Sequence, residues 1–223
     1  MVKEIDINEL NEFTKFVKFS SPFKKDDNFI NTPKLSQELP KGRWILTEKI
    51  DGTNIRIIYT PDDKLLIRGR TDRASIPTFL LEELQNIFTI DKVKSILDNP
   101  IEKGLCLYGE GYGAKIQKGG GNYNQYNSFR LFDIWIDGWW LEWDSVVETA
   151  EKLNIKTVPL LGVAPMDIKE AVSLVKDNFL SEVANEEGIT GHKAEGIVAR
   201  AYPTMLFRRG NTIKWKLKVK DYE

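Results

Sequence analysis

The sequence predicts an α+β fold built from antiparallel sheets. Apolar runs of strand length come in pairs joined by short polar turns, as where residues 61–64 separate 55–59 from 65–68. Asp137-Gly138, between two aromatic-rich runs, is a strong hairpin signal. Segments with helical spacing stand apart from these hairpins along the chain. Hairpins that alternate with separate helices are typical of α+β domains.

The elements can be placed in chain order from hydrophobic spacing. Ile7, Leu10 and Phe13 predict a helix over 6–17, and residues 20–41, with three prolines, predict a long loop. Pro77 falls in the first turn of an amphipathic helix over 76–88. Further helices are predicted through Val93 and Leu97, at 144–153 and at 167–183, and strands at 55–59, 65–68, 105–108, 129–136, 139–143, 157–161, 196–201 and 212–219.

Length and composition indicate a globular protein that buries a sizeable core. The 223 residues are 41% apolar and 11% aromatic, which predicts a soluble globular chain of one large domain or two small ones. The apolar runs are too short to cross a membrane, and no signal peptide begins the chain, so no membrane partner is expected. Cys106, the one cysteine, is predicted to be a core residue in a reducing compartment.

Charge excludes a protein that coats nucleic acid by bulk attraction, because the formal net charge is −1. Contact with nucleic acid must therefore come from local patches. Lys214, Lys216, Lys218 and Lys220 occur at every second position, which on a strand places them on one side. An edge strand that carries lysines against aggregation has the same pattern, so both interpretations stay open.

Lys49 and Asp51 lie in a break between two strand-like runs, where site residues are often found. A lysine inside a strand would cost several kcal/mol to bury unless it were paired or neutral. Gly52 lets the backbone turn or approach a ligand closely. Taken alone, Lys-x-Asp-Gly is equally compatible with a hairpin loop that carries a solvated lysine.

The glycine-rich segment after residue 108 fits a dinucleotide-binding pattern over residues 109–114. That site requires a helix next, and residues 115–121, with three consecutive glycines, form a poor one. Residues 119–127 are instead predicted to form a mobile loop. In and just before it, Lys115, Lys118, Tyr123 and Tyr126 are candidates to contact a nucleic acid, with a plain flexible loop as the alternative. His192, the one histidine, excludes any site that needs two.

Five short motifs in a fixed order make a more specific pattern than any of them alone. Together they resemble the covalent nucleotidyltransferases, the superfamily of ATP-dependent DNA and RNA ligases and mRNA-capping guanylyltransferases, and most closely the RNA ligase 2 branch. The resemblance covers about residues 43–216 and implies an ATP-grasp-like fold, two antiparallel sheets flanked by helices around a nucleotide cleft. The motifs are Glu48-Lys49-Ile50-Asp51-Gly52-Thr53-Asn54, Leu107-Tyr108-Gly109-Glu110-Gly111, Phe129-Arg130-Leu131-Phe132-Asp133-Ile134, Glu195-Gly196-Ile197-Val198 and Ile213-Lys214-Trp215-Lys216.

The resemblance implies that Lys49 attacks the α-phosphate of ATP, releases pyrophosphate and becomes a lysyl-adenylate. The adenylate then passes to a 5′-phosphate RNA end, which a 3′-hydroxyl attacks to seal the strand. An attacking lysine must be neutral, yet only about one in two thousand is unprotonated at pH 7. Its pKa must fall by about 3, equivalent to about 4 kcal/mol, through burial and cations such as Arg70, Lys214, Lys216 or a metal. Asp51 is the motif aspartate, although some RNA ligase 2 relatives carry histidine there.

The other site residues are also carried over from the family. Glu195 is expected to orient Mg²⁺, with Mn²⁺ as the alternative, because hard oxygen ligands suit triphosphate chemistry. Phe132 is expected to stack on adenine, with ordinary sheet core as the alternative, and Arg68 competes with Arg70 for phosphate. The remaining expectations are Glu48 near the base, Asn54 near sugar and phosphate, Glu110 on the ribose, Val198 at the nucleotide, and Lys214 and Lys216 on the phosphate chain.

The resulting hypothesis is an ATP-dependent RNA ligase with a single adenylyltransferase domain over 1–223. The resemblance implies that the chain lacks the C-terminal accessory domain that members of the family usually add. A DNA ligase or a GTP-dependent capping guanylyltransferase is the alternative within the superfamily. The alternative from another class is a catalytically silent nucleic-acid-binding module. The resemblance further implies the cytoplasm of a microbial or phage-infected cell, and it leaves the oligomeric state open.

Overall fold

The computed structural model describes residues 42–165, 168–177, 179–207 and 210–221. The helix predicted over 6–17 and the loop predicted over 20–41 lie outside these residues. The described chain divides into two compact units, one formed by 52–157 and the other by 42–51 together with the residues from 158 onward. Each unit has its own sheet. The expectation of one domain over 1–223 stays a prediction.

Ten strands and five helices form the described elements. They are β1 (Arg43–Lys49), β2 (Thr53–Tyr59), β3 (Leu65–Gly69), α1 (Thr78–Ile87), α2 (Ile90–Lys94), β4 (Leu105–Tyr112), β5 (Ser128–Ile136), β6 (Trp139–Trp140), α3 (Trp143–Lys152), β7 (Lys156–Thr157), β8 (Leu160–Pro165), α4 (Ile168–Lys176), α5 (Glu182–Glu186), β9 (Gly196–Ala201) and β10 (Lys214–Lys218).

The first unit is a six-stranded sheet in the order β3-β2-β4-β5-β6, with β7 beside β5. All its pairs are antiparallel except β5 with β7. The central strands β2 and β4 are almost wholly buried, which explains why they read as continuous apolar runs. Helix α1 buries Leu80 and Leu84, four residues apart and therefore on one face.

The second unit is a four-stranded antiparallel sheet in the order β10-β9-β1-β8. Side chains alternate across it, and one face carries a core with Trp44 and Trp215 in edge contact at 5.5 Å between ring centroids. Leu46, Ile197, Ala199 and Leu217 belong to the same core. Because the alternation is strict, Thr47 and Lys49 of β1 lie on the opposite face.

Several predicted elements differ from the structure: the strand predicted over 105–108 continues to Tyr112, and the short helix predicted through Val93 and Leu97 ends at Lys94. The helix predicted over 167–183 was wrong as one piece: α4 ends at Lys176, and the Ser181 hydroxyl caps a separate short helix by accepting the Ala184 N–H. The strand predicted over 139–143 ends at Trp140, and Trp143 already begins α3. The strand predicted over 157–161 is divided between β7 and β8, because Pro159 has no N–H to donate to a sheet.

The predicted α+β class with antiparallel sheets is confirmed. The strand predicted over 196–201 has the same bounds in the structure, and the chain predicted as 212–219 forms β10 over Lys214–Lys218. Within the described residues, no helix is long and apolar enough to cross a membrane.

Candidate active site

Lys49 is the last residue of β1 and lies beside two other strands of its sheet. It pairs with Gly196 of β9, and Gly196 pairs on its other side with Lys218 of β10. Lys49 and Lys218 therefore occupy one row of the sheet, on either side of a residue without a side chain. Gly196 has φ +155°, and a Cβ there would lie 2.0 Å from the Leu217 carbonyl oxygen, so only glycine fits.

Glu195, immediately before that glycine, joins the two lysines. One carboxylate oxygen accepts from the Lys49 Nζ and the other from the Lys218 Nζ. The Glu195 side chain is only 12% exposed, so the double ion pair is largely shielded from water. Burial would raise the pKa of Glu195, but the two ammonium groups outweigh it and hold the pKa below its ordinary value of 4.5. Glu195 is therefore ionised at neutral pH.

Asp51 lies close enough to this cluster to share its electrostatics. Burial and then the charge of Glu195 raise its pKa above the ordinary 3.8, against the opposing effects of Lys49, Lys218 and Lys220. Two carboxylates with pKa values moved in opposite directions thus stand near one lysine. Such a separation is a frequent mark of functional sites.

The lysines of β10 are ordered along the strand by their pairing with β9. Lys216 pairs with Val198, which also pairs with Thr47 of β1, so Lys216 and Val198 lie one row beyond Lys49 on the same face. Lys214 pairs with Arg200, four residues or about 13 Å along the strand from Lys218. The sequence analysis named Lys214 and Lys216 as site residues and missed Lys218, although the alternating lysine pattern contained it.

Glu48 lies on the opposite face of β1 from its neighbour Lys49. Its side chain is in the interior: Oε1 accepts from the Ser181 hydroxyl at 2.5 Å, and Oε2 accepts from the N–H groups of Glu182 and Val183 at 2.8 and 3.0 Å. The carboxylate thus holds the start of α5 against β1. The expected contact between Glu48 and the base stays a prediction.

His192 is close enough to Asp51 for the aspartate charge to act on it. Burial lowers the pKa of His192, and Asp51 opposes that change. Its carbonyl oxygen accepts the Ser181 N–H at 2.8 Å. His192 is therefore part of the surroundings of the cluster.

The first unit brings two other predicted residues together. Asn54 of β2 lies directly opposite Glu110 of β4, and Glu110 in turn lies opposite Arg130 of β5. Directly opposed residues have Cβ atoms about 5 Å apart, so Asn54 and Glu110 can act on one ligand. The Asn54 Oδ1 is buried and has no hydrogen-bond partner among the described residues, which suits an acceptor that awaits a ligand.

Phe132 is placed at a β-bulge. Tyr108 pairs with Asp133 and Gly109 with Leu131, so Phe132 between them is the extra residue of the bulge. Bulges re-aim side chains and are frequent beside active sites. Phe132 is half-buried and also packs against the core around Tyr108 and Trp135. Its expected stacking on adenine therefore stays a prediction.

Arg70 directly follows β3. It lies in a turn that is held in place by a different arginine, the buried Arg56. The Arg56 guanidinium, fully buried, donates to the Gly69 carbonyl at 2.8 Å and to Asp72 Oδ1 at 2.7 Å, on either side of Arg70. The competing Arg68 instead donates to the carbonyl of Ile67 at 3.0 Å. Sequence reasoning missed Arg56, although an arginine inside the apolar run Ile55-Arg56-Ile57 was a usable signal.

The residues near Lys49 fit a divalent cation as a partial ligand set. Asp51 and Glu195 supply the carboxylate oxygens that Mg²⁺ and Mn²⁺ prefer. The negative charges of these two carboxylates repel each other, and a bound cation would reduce that repulsion. The described residues hold no cluster of three or more His, Cys, Asp or Glu of metal-binding size. The remaining ligands would therefore be phosphate oxygens or water, as is usual for Mg²⁺ with nucleotides.

Comparison with solved structures shows that the fold is shared with a known ligase. The Naegleria gruberi RNA ligase is similar in fold: an apo variant superposes with a TM-score of 0.67 at 19% identity, over 92% of this chain and 56% of that one. Variants of that ligase with ATP and Mn and with AMP and Mn each superpose with a TM-score of 0.64 at 19% identity, over 91% of this chain. This chain thus spans 56% of the length of these solved ligases.

The curated protein sequences contain no match to this chain. A protein-family model does match, and it covers residues 42–216, which include every predicted site residue and both sheets except the last two residues of β10. With the motif order, the antiparallel α+β architecture and the Lys49 cluster in place, this match identifies the chain as a member of the RNA ligase family.

Proposed function

We propose that this chain is the adenylyltransferase part of an ATP-dependent RNA ligase, with Lys49 as the nucleophile. The observation that carries the proposal is the cluster in which Glu195 holds Lys49 and Lys218 beside Asp51. The family match supports the same chemistry. The ligase would join a 5′-phosphate end of RNA to a 3′-hydroxyl end.

In the first step the Lys49 nitrogen forms a bond to the α-phosphorus of ATP. The bond from that phosphorus to the oxygen bridging to the β-phosphate breaks, and pyrophosphate leaves. An ammonium has no lone pair, so Lys49 must lose a proton before it attacks. Asp51 is the better acceptor of the two carboxylates, because its pKa is raised whereas that of Glu195 is lowered.

Two lysines of β10 would stabilise the negative charge on the phosphates of ATP. Lys218 and Lys216 lie on the face of the sheet that carries Lys49, two residues apart, so both can reach one phosphate chain. A bound Mg²⁺ or Mn²⁺ would supply further positive charge to the triphosphate. Asp51 and Glu195 are the residues of this unit that would hold it.

Nucleotide recognition would come from residues of the first unit. Glu110 would accept from the ribose hydroxyls, and Asn54 would contribute the side-chain oxygen that has no partner. Phe132 and Arg70 keep their expected roles at adenine and phosphate. Val198, which belongs to β9 of the second unit, keeps its expected role at the nucleotide. In the second and third steps the adenylate passes to the 5′-phosphate of RNA, and the 3′-hydroxyl displaces AMP.

The test is intact-protein mass spectrometry after incubation with Mg²⁺ and either ATP or GTP, following pyrophosphate treatment that removes any bound adenylate. We expect a gain of one AMP from ATP, labile in acid as a phosphoramidate is, and no gain for Lys49→Ala. Lys103→Ala, the change of an exposed lysine outside the cluster, should gain AMP like the unmodified protein. A gain of GMP from GTP would assign the chain to the capping enzymes, and no adduct with either nucleotide would refute the proposal.

Preference for RNA is tested separately by sealing of nicked substrates. A duplex with RNA at the nick should be sealed faster than the same duplex with DNA at the nick. Preferential sealing of the all-DNA nick would make the chain a DNA ligase.

A further inference from the structure

The connection between β4 and β5 is far longer than the hairpin requires. Tyr112 and Ser128 pair directly, so two to five residues would close the turn, yet the chain inserts 113–127 there. Connections of about fifteen residues are uncommon in compact domains and are usually functional. We call residues 113–127 the β4–β5 loop.

The β4–β5 loop is held in a compact form. Tyr123 is buried to 2% exposure and anchors it. A Cβ at Gly120 would lie 2.1 Å from the Gly113 carbonyl oxygen, so the middle of the loop packs against its start with no room for a side chain. Gln125 donates to the Gly121 carbonyl at 2.8 Å. The loop thus presents its outer side chains from a compact backbone, and the mobility predicted for residues 119–127 stays a prediction.

Tyr126 is the outermost of these side chains, at 81% exposure. Its N–H donates to Asn124 Oδ1 at 2.8 Å, which fixes the turn that presents it. An aromatic ring held in water leaves its apolar faces without a partner, and a nucleobase is the flat partner that such a ring stacks on. The hydroxyl keeps the residue soluble but is not needed for stacking.

The charge of the loop is of one sign. It contains Lys115 and Lys118, both exposed, and no aspartate or glutamate, although the whole chain has a net charge of −1. Neither lysine has a carboxylate partner among the described residues. Lys115 has φ +69°, and the other described non-glycine residues with positive φ are aspartates and asparagine, which tolerate it better. Backbone strain of this kind is concentrated at functional sites.

The loop also lies beside the first motif. Gln117 Nε2 donates to the carbonyl oxygen of Gly52 at 3.0 Å, three residues after Lys49 in the chain. We infer that the β4–β5 loop binds single-stranded RNA, with Tyr126 stacked on an unpaired base and Lys115 and Lys118 on phosphates. This inference rests on the proposed function for its choice of RNA. A protein partner is disfavoured because the loop exposes one aromatic ring among amides and glycines instead of an apolar patch.

The test is binding of a short fluorescein-labelled single-stranded RNA, followed by anisotropy over a series of salt concentrations. Tyr126→Ala should weaken binding about tenfold, and Tyr126→Phe should bind like the unmodified protein, because stacking needs the ring and not the hydroxyl. Lys115→Ala and Lys118→Ala should each lower the slope of log Kd against log salt by about 0.7. Trp139→Ala, which removes a ring of 75% exposure outside the loop, and Lys103→Ala are the matched controls and should change nothing.

Equal binding by Tyr126→Ala and the unmodified protein, or an equal loss in Trp139→Ala, would overturn the inference. Uptake of AMP is measured on the same samples and needs no RNA. If the unmodified protein takes up AMP while every loop variant binds RNA normally, only the loop inference fails. If it takes up no AMP while Tyr126→Ala still loses RNA binding, the proposed function fails and the loop inference stands.

Discussion

Lys49 and Glu195 are 146 residues apart in the chain and form a direct ion pair. The pair keeps the lysine nitrogen at the end of β1, where the strand pairing also brings Lys218. If Lys49 is the nucleophile, as proposed, it must leave this carboxylate before it attacks. The ion pair is thus a resting arrangement that nucleotide and metal would have to open.

Replacement of Lys218 should impair adenylylation more than replacement of Lys214. Lys218 contacts Glu195, whereas Lys214 lies about 13 Å farther along β10. Loss of a charge that stabilises the transferring phosphate typically costs about tenfold to a thousandfold in rate. We expect Lys218→Ala to lower the initial rate of AMP uptake within that range and Lys214→Ala to lower it less, both followed by intact mass. The reverse order would show that Lys214 and Lys216 form the phosphate-binding pair.

Asp51→Asn should stabilise the protein at neutral pH while it impairs adenylylation. Burial and the Glu195 charge raise the pKa of Asp51 in the folded state, so the ionised aspartate opposes folding. The gain in melting temperature should be present at pH 7 and decline as pH falls through the raised pKa. It should vanish near the ordinary 3.8, where the aspartate becomes protonated in both states. A lower melting temperature at pH 7 would contradict this account.

Glu195→Gln should act in the opposite direction on stability. The pKa of Glu195 is lowered in the folded state, so its ionised form favours folding above about pH 4.5 and this benefit is lost as pH falls through the lowered value. The amide would leave the Lys49 and Lys218 ammonium groups facing each other. We expect a loss of about 1–3 kcal/mol at pH 7, below the range for a fully buried pair, measured by urea unfolding. An unchanged free energy of unfolding would mean that the ion pairs contribute nothing.

Glu110→Ala and Phe132→Ala should weaken nucleotide binding more than RNA binding. Glu110 faces Asn54 across two strands, and Phe132 lies on the bulge of the next strand. Loss of a hydrogen bond to a charged group or of aromatic stacking costs about 1–3 kcal/mol, or roughly fivefold to a hundredfold in the Kd for ATP. Titration calorimetry with ATP and anisotropy with RNA measure the two constants. Ile136→Ala, at the far end of β5, serves as the control for a change in the same strand.

Periodicity predicted the strands well because it depends on local sequence. It gave 196–201 with the bounds of β9 and placed the β10 lysines on one face. The register between strands depends on contacts that are distant in the sequence. Which lysine of β10 lies in the same row as Lys49 therefore became clear only from the pairing of Lys218 with Gly196. Local sequence could not predict that the helix over 167–183 is divided, because Ser181, which begins the second helix, is bound by Glu48, a residue 133 positions away. The motif order predicted Lys49 and Glu195 as site residues but not their contact.

Glu48→Gln should destabilise the fold although the change is isosteric. The carboxylate accepts three hydrogen bonds at the start of α5, and an amide nitrogen in place of one oxygen cannot accept. Hydrogen bonds to a charged group contribute about 1.5–3 kcal/mol, so we expect a loss of about 2 kcal/mol in the free energy of unfolding. Glu182→Gln changes an exposed carboxylate on the same helix and should cost little.

Ser181→Ala completes a double-mutant cycle with Glu48→Gln. Because the Ser181 hydroxyl donates to Glu48 and also accepts the Ala184 N–H, the two substitutions should be less than additive. If Glu48 instead serves the nucleotide, Glu48→Gln would leave stability unchanged and raise the Kd for ATP. Urea unfolding together with ATP titration therefore separates the structural role of Glu48 from a role at the base.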